Sequence, residues 1–282
     1  EEQPQQQPAP PPPPPPAEPP PPPPAQLPPP PVHHTFELLI FSCSPNASPL
    51  DQASREAMSI IENLNGQNDA APTDRPWAGR AHIYSQSGRY GGTPQALSNF
   101  LLQKRPRRFH FIGHGDAQLG QERVLGFTSP TGGLQLINHA AIAGMFMPPI
   151  AGLDALRLVS LDACNTEELG NAIHQAGVPF VVCWRTQLED TAGRIFGAAF
   201  YDLLSQEFSE RNAFDRATLA LRQITRPGTI NNGQLTAEVP RYELRDPALP
   251  AIATGQHPLP DAAGVPILIC AEGVFLPRPP PP

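Results

Sequence analysis

Leu156-Arg157-Leu158-Val159-Ser160-Leu161 runs directly into Asp162-Ala163-Cys164-Asn165-Thr166. The first six residues are nearly all apolar and too few for a helix, so they read as a buried strand. Leu169, Ala172, Ile173 and Ala176 then recur at helical spacing, and Gly177 closes the helix. An apolar strand without alternation needs cover on both faces, which is the situation of a parallel sheet sandwiched by helices. Such sheets present their chemistry at the carboxyl ends of the strands, here at Cys164.

The same unit recurs on either side. Phe36 to Phe41 is an apolar run ending in Ser42-Cys43-Ser44-Pro45, followed by Ala53, Ala57, Ile60, Ile61 and Leu64 at helical spacing up to Asn65-Gly66. Ala81 to Tyr84 is a weaker strand, and Thr93-Pro94 supplies a cap and a first-turn proline for the helix carrying Ala96, Leu97, Phe100 and Leu101. Arg108 to Ile112 is a strand that stops at Gly113-His114-Gly115-Asp116, where glycines flank a histidine. Val124–Phe127 and Leu134–Leu136 predict a hairpin, and 140–146 a short helix. Downstream, 178–184 is a fifth strand; the stripe from Ile195 to Leu204 and the set Phe214, Ala217, Leu221 and Ile224 predict two helices. The stretch 227–263 is broken by proline and glycine and reads as a long loop or lid, and 265–270 as a last strand.

Composition sets the boundaries. The chain has 282 residues and 41 prolines, far above the average of about 5%. Residues 1–32 and 276–282 hold the proline runs and read as extended polyproline II or disordered segments, leaving 33–275 as one domain with a sizeable core. A formal net charge of −7 disfavours nucleic acid, and no apolar span is long enough to cross a membrane. Four scattered cysteines supply neither a disulfide scaffold nor a metal-ligand spacing, so no metal or cofactor is expected and a reducing, cytoplasmic setting is favoured. Without a starting Met the chain reads as a segment of something larger.

The strand-end rule selects Ser42 and Cys43, His114, Cys164, and Trp184 with Arg185. A thiol acts as a nucleophile in its thiolate form and needs a base or a positive field nearby. His114 is the candidate base, and Cys164 opens a helix whose positive end favours thiolate. Asp162, two residues before Cys164 on a strand, shares its face. Trp184 reads either as a pocket wall or as a core side chain. Arg185 would repel a basic substrate from any such pocket.

These segments resemble a known family. Phe111-Ile112-Gly113-His114-Gly115 and Leu161-Asp162-Ala163-Cys164 are similar to the His-Gly and Asp-x-Cys motifs of caspase-like (clan CD) cysteine peptidases, and the chain is identified as a CHAT-type member of that group. Ala176 to Thr186, Asp190, Phe196 to Tyr201 and Ala213 to Ala217 extend the resemblance. Cys164 lies 50 residues after His114, in keeping with the interval of about 50 in caspases. The resemblance implies a three-layer α/β sandwich with a mostly parallel six-stranded sheet and helices on both faces. It also implies His114 as general base and acid, Cys164 as nucleophile, and the amides of Gly115 and Cys164 as oxyanion donors. Asp162 would line a pocket for a basic residue before the scissile bond, with Trp184 and Ser42 as further pocket residues. The chain departs from relatives in reading Asn165-Thr166-Glu167-Glu168 where a glycine is common; two carboxylates in a first helical turn suit the helix and oppose a thiolate, with Asn165 or Thr166 as cap.

Two functions follow. The first is a cysteine endopeptidase acting on polypeptides, with preference for Arg or Lys. The second is an inactive caspase-like module on a proline-rich scaffold whose tails bind aromatic-lined, polyproline-binding domains. A small-molecule hydrolase of the nucleophile-elbow type lacks its G-x-S-x-G motif.

Overall fold

In the computed structural model the described residues are 36–46, 49–50, 52–65, 77, 79–84, 92–120, 122–147, 156–231, 234–250 and 259–278. The proline-rich segment 1–32 lies outside them, as do the last four residues of the 276–282 tail. In chain order the elements are β1 (Phe36–Ser42), α1 (Ala53–Asn65), β2 (Ala81–Tyr84), α2 (Pro94–Lys104), β3 (Pro106–Ile112), β4 (His114–Leu119), β5 (Glu122–Thr128), β6 (Leu134–Ile137) and α3 (His139–Gly144). Then follow β7 (Leu158–Asp162), α4 (Glu167–Gln175), β8 (Phe180–Trp184), α5 (Asp190–Ser205), α6 (Glu210–Gln223), β9 (Thr225–Asn231), β10 (Gln234–Pro240), β11 (Tyr242–Glu243), β12 (Asp261–Ala262), β13 (Pro266–Cys270) and β14 (Gly273–Phe275).

The apolar runs form the middle of one sheet, in the order β14-β13-β8-β7-β3-β1-β2. Neighbours from β8 to β2 are parallel, and β13 and β14 are antiparallel. All five residues of β7 are buried, as continuous apolar character requires of a strand covered on both faces. The sheet has seven strands rather than the six expected: Gly273, at a φ of 123°, turns the chain back so that the three-residue β14 pairs with β13. Helices α2, α3 and α4 pack on one face through Leu97, Phe100, Ile142, Leu169 and Ile173. The other face carries α1, α5 and α6 through Ile60, Phe196, Phe200, Phe214 and Leu221. This is a mixed α/β fold with a large, mostly parallel sheet.

Thr93 caps α2 as its sequence predicts, its hydroxyl accepting from the Ala96 amide. Three readings change. Where the sequence shows only the stop of a strand, His114 begins β4, the first strand of a separate three-stranded sheet β4-β5-β6. Much of 227–263 is paired: β9 and β10 form an irregular antiparallel ribbon outside the main sheet, where Pro227 faces Glu238, and β11 pairs with β12. A two-stranded ribbon has open edges on which a missing N–H costs little, so proline did not exclude a strand there. Thr166 occupies the cap position of α4 without capping it: its hydroxyl donates to the Ala163 carbonyl and accepts from the Trp184 amide.

Candidate active site

Register brings the two motifs together. In the β3/β7 ladder Phe111 pairs with Leu161 and Ile112 with Asp162, so His114 and Cys164 each stand two residues beyond one paired position. The Gly113 amide donates to the Asp162 carbonyl at 3.1 Å, carrying the pairing past the strand ends. Gly115 then lies against the main chain of Cys164; a Cβ there would overlap the Cys164 carbonyl oxygen. The need for glycine is thus met by the Cys164 peptide itself, before any substrate enters. His114, Gly115, Asp162 and Cys164 all line one small cleft of about 80 Å³.

The loop holding Cys164 is fastened to β8 and the segment after it. Asn165, in the left-handed region at a φ of 52°, donates its amide to the Thr186 carbonyl, and the Thr166 amide donates to the Trp184 carbonyl. The Asn165 side chain also donates to Asp116 Oδ1 at 2.5 Å, tying the Cys164 loop to β4. The Cys164 sulfur accepts from the Leu188 amide at 3.3 Å. Burial pushes the Cys164 thiol up to about 11; the Leu188 hydrogen bond acts against that rise, and the charges of Asp116 and Asp190 add to it.

The remaining expected site residues sort as follows. Asp162 lies at the floor of the cleft, its Oδ1 accepting from Trp184 Nε1 at 3.2 Å. Trp184 is fully buried and packs edge-on against Phe196, so it anchors the pocket acid from the core instead of forming an exposed wall. Ser42 does not line the cleft; it lines a neighbouring hollow with Ser44, Ser54 and Tyr84, because β1 ends one strand farther from Cys164 than β3 does. Arg185 does not enter the cleft either. Its guanidinium grips Glu167 in two hydrogen bonds of 2.6 and 2.7 Å at the surface, which offsets one of the two carboxylates at the start of α4.

Two further residues belong to the site. Glu56, from α1, lines the cleft although it is almost wholly buried. His110, from β3, lies beneath it with Nε2 3.0 Å from Glu56 Oε1. Both carry a sequence signal, since Glu56 falls on the Ala53, Ala57, Ile60 apolar stripe and His110 within an apolar strand. Donor atoms of Glu56, His110 and Asp162 lie within 4.8 Å of one another. Within this cluster His110 Nε2 pairs with Glu56 and Asp162 Oδ1 with Trp184, while His110 Nδ1 and Asp162 Oδ2 are buried without a hydrogen-bond partner.

This layered sheet, with its cleft at the carboxyl edge, is the fold of the caspase-like cysteine peptidases. A secreted C11 cysteine protease from Bacteroides thetaiotaomicron, solved with an irreversible peptide inhibitor, superposes with a TM-score of 0.50 at 10% identity, over 84% of this chain and 67% of that one. Pyridoxal kinase from Lactobacillus plantarum is also similar, at a TM-score of 0.34 and 11% identity over 64% of this chain and 84% of that one. The chain belongs to the CHAT domain family, which matches it over residues 23–248. Among curated proteins, none matches this sequence.

Proposed function

We propose that this protein is a cysteine endopeptidase in which His114 and Cys164 form the catalytic dyad and the cleft beside them takes a basic side chain. One observation carries the reading: His114 and Cys164 share a cleft that also includes Glu56, Asp116, Asp162 and Asp190, with no Lys or Arg lining it among the described residues. Four carboxyl groups lining one cleft form a site for Arg or Lys. The peptide inhibitor bound to the C11 relative fits a polypeptide substrate.

In this mechanism His114 takes the Cys164 proton as the sulfur attacks the scissile carbonyl, then gives it to the leaving amine. The Gly115 and Cys164 amides donate to the oxyanion. Water, activated by His114, hydrolyses the thioester. In the resting arrangement burial and the acids favour the protonated thiol. A substrate cation entering the cleft offsets Asp116 and Asp190 and so assists ionisation. The proline runs are proposed as ligands for polyproline-binding domains.

The same raised thiol favours a second reading, an inactive module, and one experiment separates the two. A peptidyl acyloxymethyl ketone with arginine before the reactive group is expected to label the wild type at Cys164, and to label neither Cys164→Ala nor His114→Ala. A folded wild type that never labels, even with partners that engage the proline runs, is the inactive module. Equal labelling by neutral and basic peptides removes the role given to Asp162.

A further inference from the structure

Three buried polar side chains meet under the cleft from three different elements, Glu56 of α1, His110 of β3 and Asp162 of β7. Each offers one metal-ligand atom, and these atoms lie within 4.8 Å of one another. Other buried acids of the fold are met by cations, Glu37 by Arg80 and Arg108 and Glu210 by Arg157. Among the described residues no Lys or Arg forms an ion pair with Glu56 or Asp162; Arg194 of α5 acts on Glu56 through its charge alone. The cluster also has polar atoms to spare. Trp184 Nε1 fixes Asp162 Oδ1 and leaves Oδ2 buried with no hydrogen-bond partner, and His110 Nδ1 is in the same condition. Asp162 is 3% exposed and His110 0%, so bulk solvent does not satisfy them. Polar atoms left over in this way mark the place of a water or an ion.

We propose that Glu56, His110 and Asp162 form a binding site for a divalent transition-metal ion of the Zn²⁺ type, with three protein ligands and a further position open to the cleft. One imidazole with two carboxylates is a donor set for Zn²⁺ and its neighbours, whereas Ca²⁺ takes six to eight oxygens. The two carboxylates balance the charge of the ion. Metals take histidine as the neutral imidazole, through the nitrogen lone pair that carries no proton. The sequence shows no ligand spacing because the three donors come together only through the fold.

The surroundings fit an ion. His110 Nε2 and Glu56 Oε1 stand 3.0 Å apart, and bonds of about 2.0–2.2 Å to one ion hold tetrahedral neighbours roughly 3.4 Å apart. Rotation of the Asp162 carboxyl about the oxygen held by Trp184 closes the third bond. That indole contact is the outer support that orients a ligating carboxylate, and Tyr201, edge-on at 5.2 Å between ring centroids, fixes the plane of His110. Space is kept clear at the donor oxygens by glycines one turn apart on α5. A Cβ at Gly197 would lie 3.4 Å from Glu56 Oε1 and 3.7 Å from Asp162 Oδ2, and one at Gly193 3.5 Å from Asp162 Oδ2. Glu56 and Asp162 both line the cleft, which is the way in for the ion. The site uses neither His114 nor Cys164 and does not rest on the peptidase reading. Only its consequence does: an ion on Asp162 competes with a basic substrate side chain for that carboxylate.

The test reads binding alone, on the untagged full chain carrying Cys164→Ala, stripped with EDTA and titrated with Co²⁺ and then with Zn²⁺. One equivalent of Co²⁺ is expected to bind with visible d–d absorption and no sulfur-to-metal charge-transfer band, and Zn²⁺ to displace it. His110→Ala and Asp162→Asn in the same background should weaken binding more than about 100-fold. Gly197→Ala keeps all three ligands but crowds their oxygens, and should weaken binding about tenfold with an unchanged far-UV circular dichroism spectrum. Co²⁺ that binds the wild type but not Cys164→Ala sits at the dyad and overturns the inference. No binding at millimolar Co²⁺, or binding indifferent to His110→Ala, overturns it too. If His110→Ala does not fold, X-ray absorption of the Zn²⁺-loaded Cys164→Ala protein decides: one imidazole among oxygen ligands upholds the site, and sulfur or two imidazoles overturn it. None of these outcomes involves electrophile labelling, so failure here leaves the peptidase reading where it stands.

Discussion

The two ends of the sheet treat charge in opposite ways. At the amino end Glu37 bridges Arg80 and Arg108 at 2.6 and 3.0 Å, and Glu210 takes Arg157 through contacts of 2.5 and 3.0 Å with Arg108 at 3.8 Å. Arg108 is 8% exposed there, with its guanidinium 4.4 Å from the Trp77 ring. At the carboxyl end acids crowd a cleft that no Lys or Arg lines among the described residues. Pairing desolvated charges closely makes each depend on its partner. Crowding buried acids in one cleft costs stability and creates demand for a cation. The first arrangement suits a structural end and the second an end that binds something.

Breaking the amino end should have the larger effect. Glu210→Ala leaves Arg157 without its carboxylate and Arg108 with Glu37 alone, and is expected to cost about 3 kcal/mol in urea unfolding, while leaving electrophile labelling of the folded protein unchanged. The pH dependence has a definite sign. Burial alone would raise the Glu210 carboxyl, but the hydrogen bond and charge of Arg157, with Arg108, hold it below its ordinary value of 4.5. Its contribution is therefore complete above 4.5 and is lost as pH falls below that value through the lowered one. Acid unfolding of Glu210→Ala should be correspondingly less steep than that of the wild type.

At the carboxyl end, Gly115→Ala is expected to slow labelling about 100-fold, because the added methyl has to push the Cys164 peptide away from β4. Far-UV circular dichroism should remain that of the wild type. The smallest change tests the α4 entrance, where a surface pair relieves the site. Arg185→Gln should alter stability by less than about 1 kcal/mol yet slow labelling roughly threefold, because Glu167 then faces the thiol end of the helix without its counter-charge. An unchanged labelling rate would mean that Glu167 does not act on Cys164.

Some of this site could be read from the sequence. Continuous apolar runs locate strand ends, and strand ends locate His114 and Cys164, because a parallel sheet presents only its carboxyl edge to a ligand. Glu56 and His110 also left a trace, as a carboxylate on an apolar helix stripe and an imidazole inside an apolar strand; each is a polar group placed where only a partner makes burial tolerable. Trp184 was open between pocket and core, and its indole N–H serves both by reaching Asp162 from the interior. Ser42 and Arg185 lie outside the cleft for one reason: neighbours in sequence at a strand end need not face the same hollow. Thr166 does stand at the cap position, but its hydroxyl is taken by Ala163 and Trp184. The proline-broken stretch 227–263 misled because proline excludes central strands but not a peripheral ribbon.

The sequence by itself determined the layering, the order of strands and helices over most of the sheet, and the family to which the chain belongs, since these follow from periodicity and local motifs. The tertiary structure decided the register that sets Ile112 opposite Asp162, the turn that adds β14, the pairing of Arg185 with Glu167, and the meeting of Glu56, His110 and Asp162 under one cleft. Those depend on distances between residues far apart in the chain. A one-dimensional pattern fixes which face a side chain occupies, and only packing fixes what it meets there.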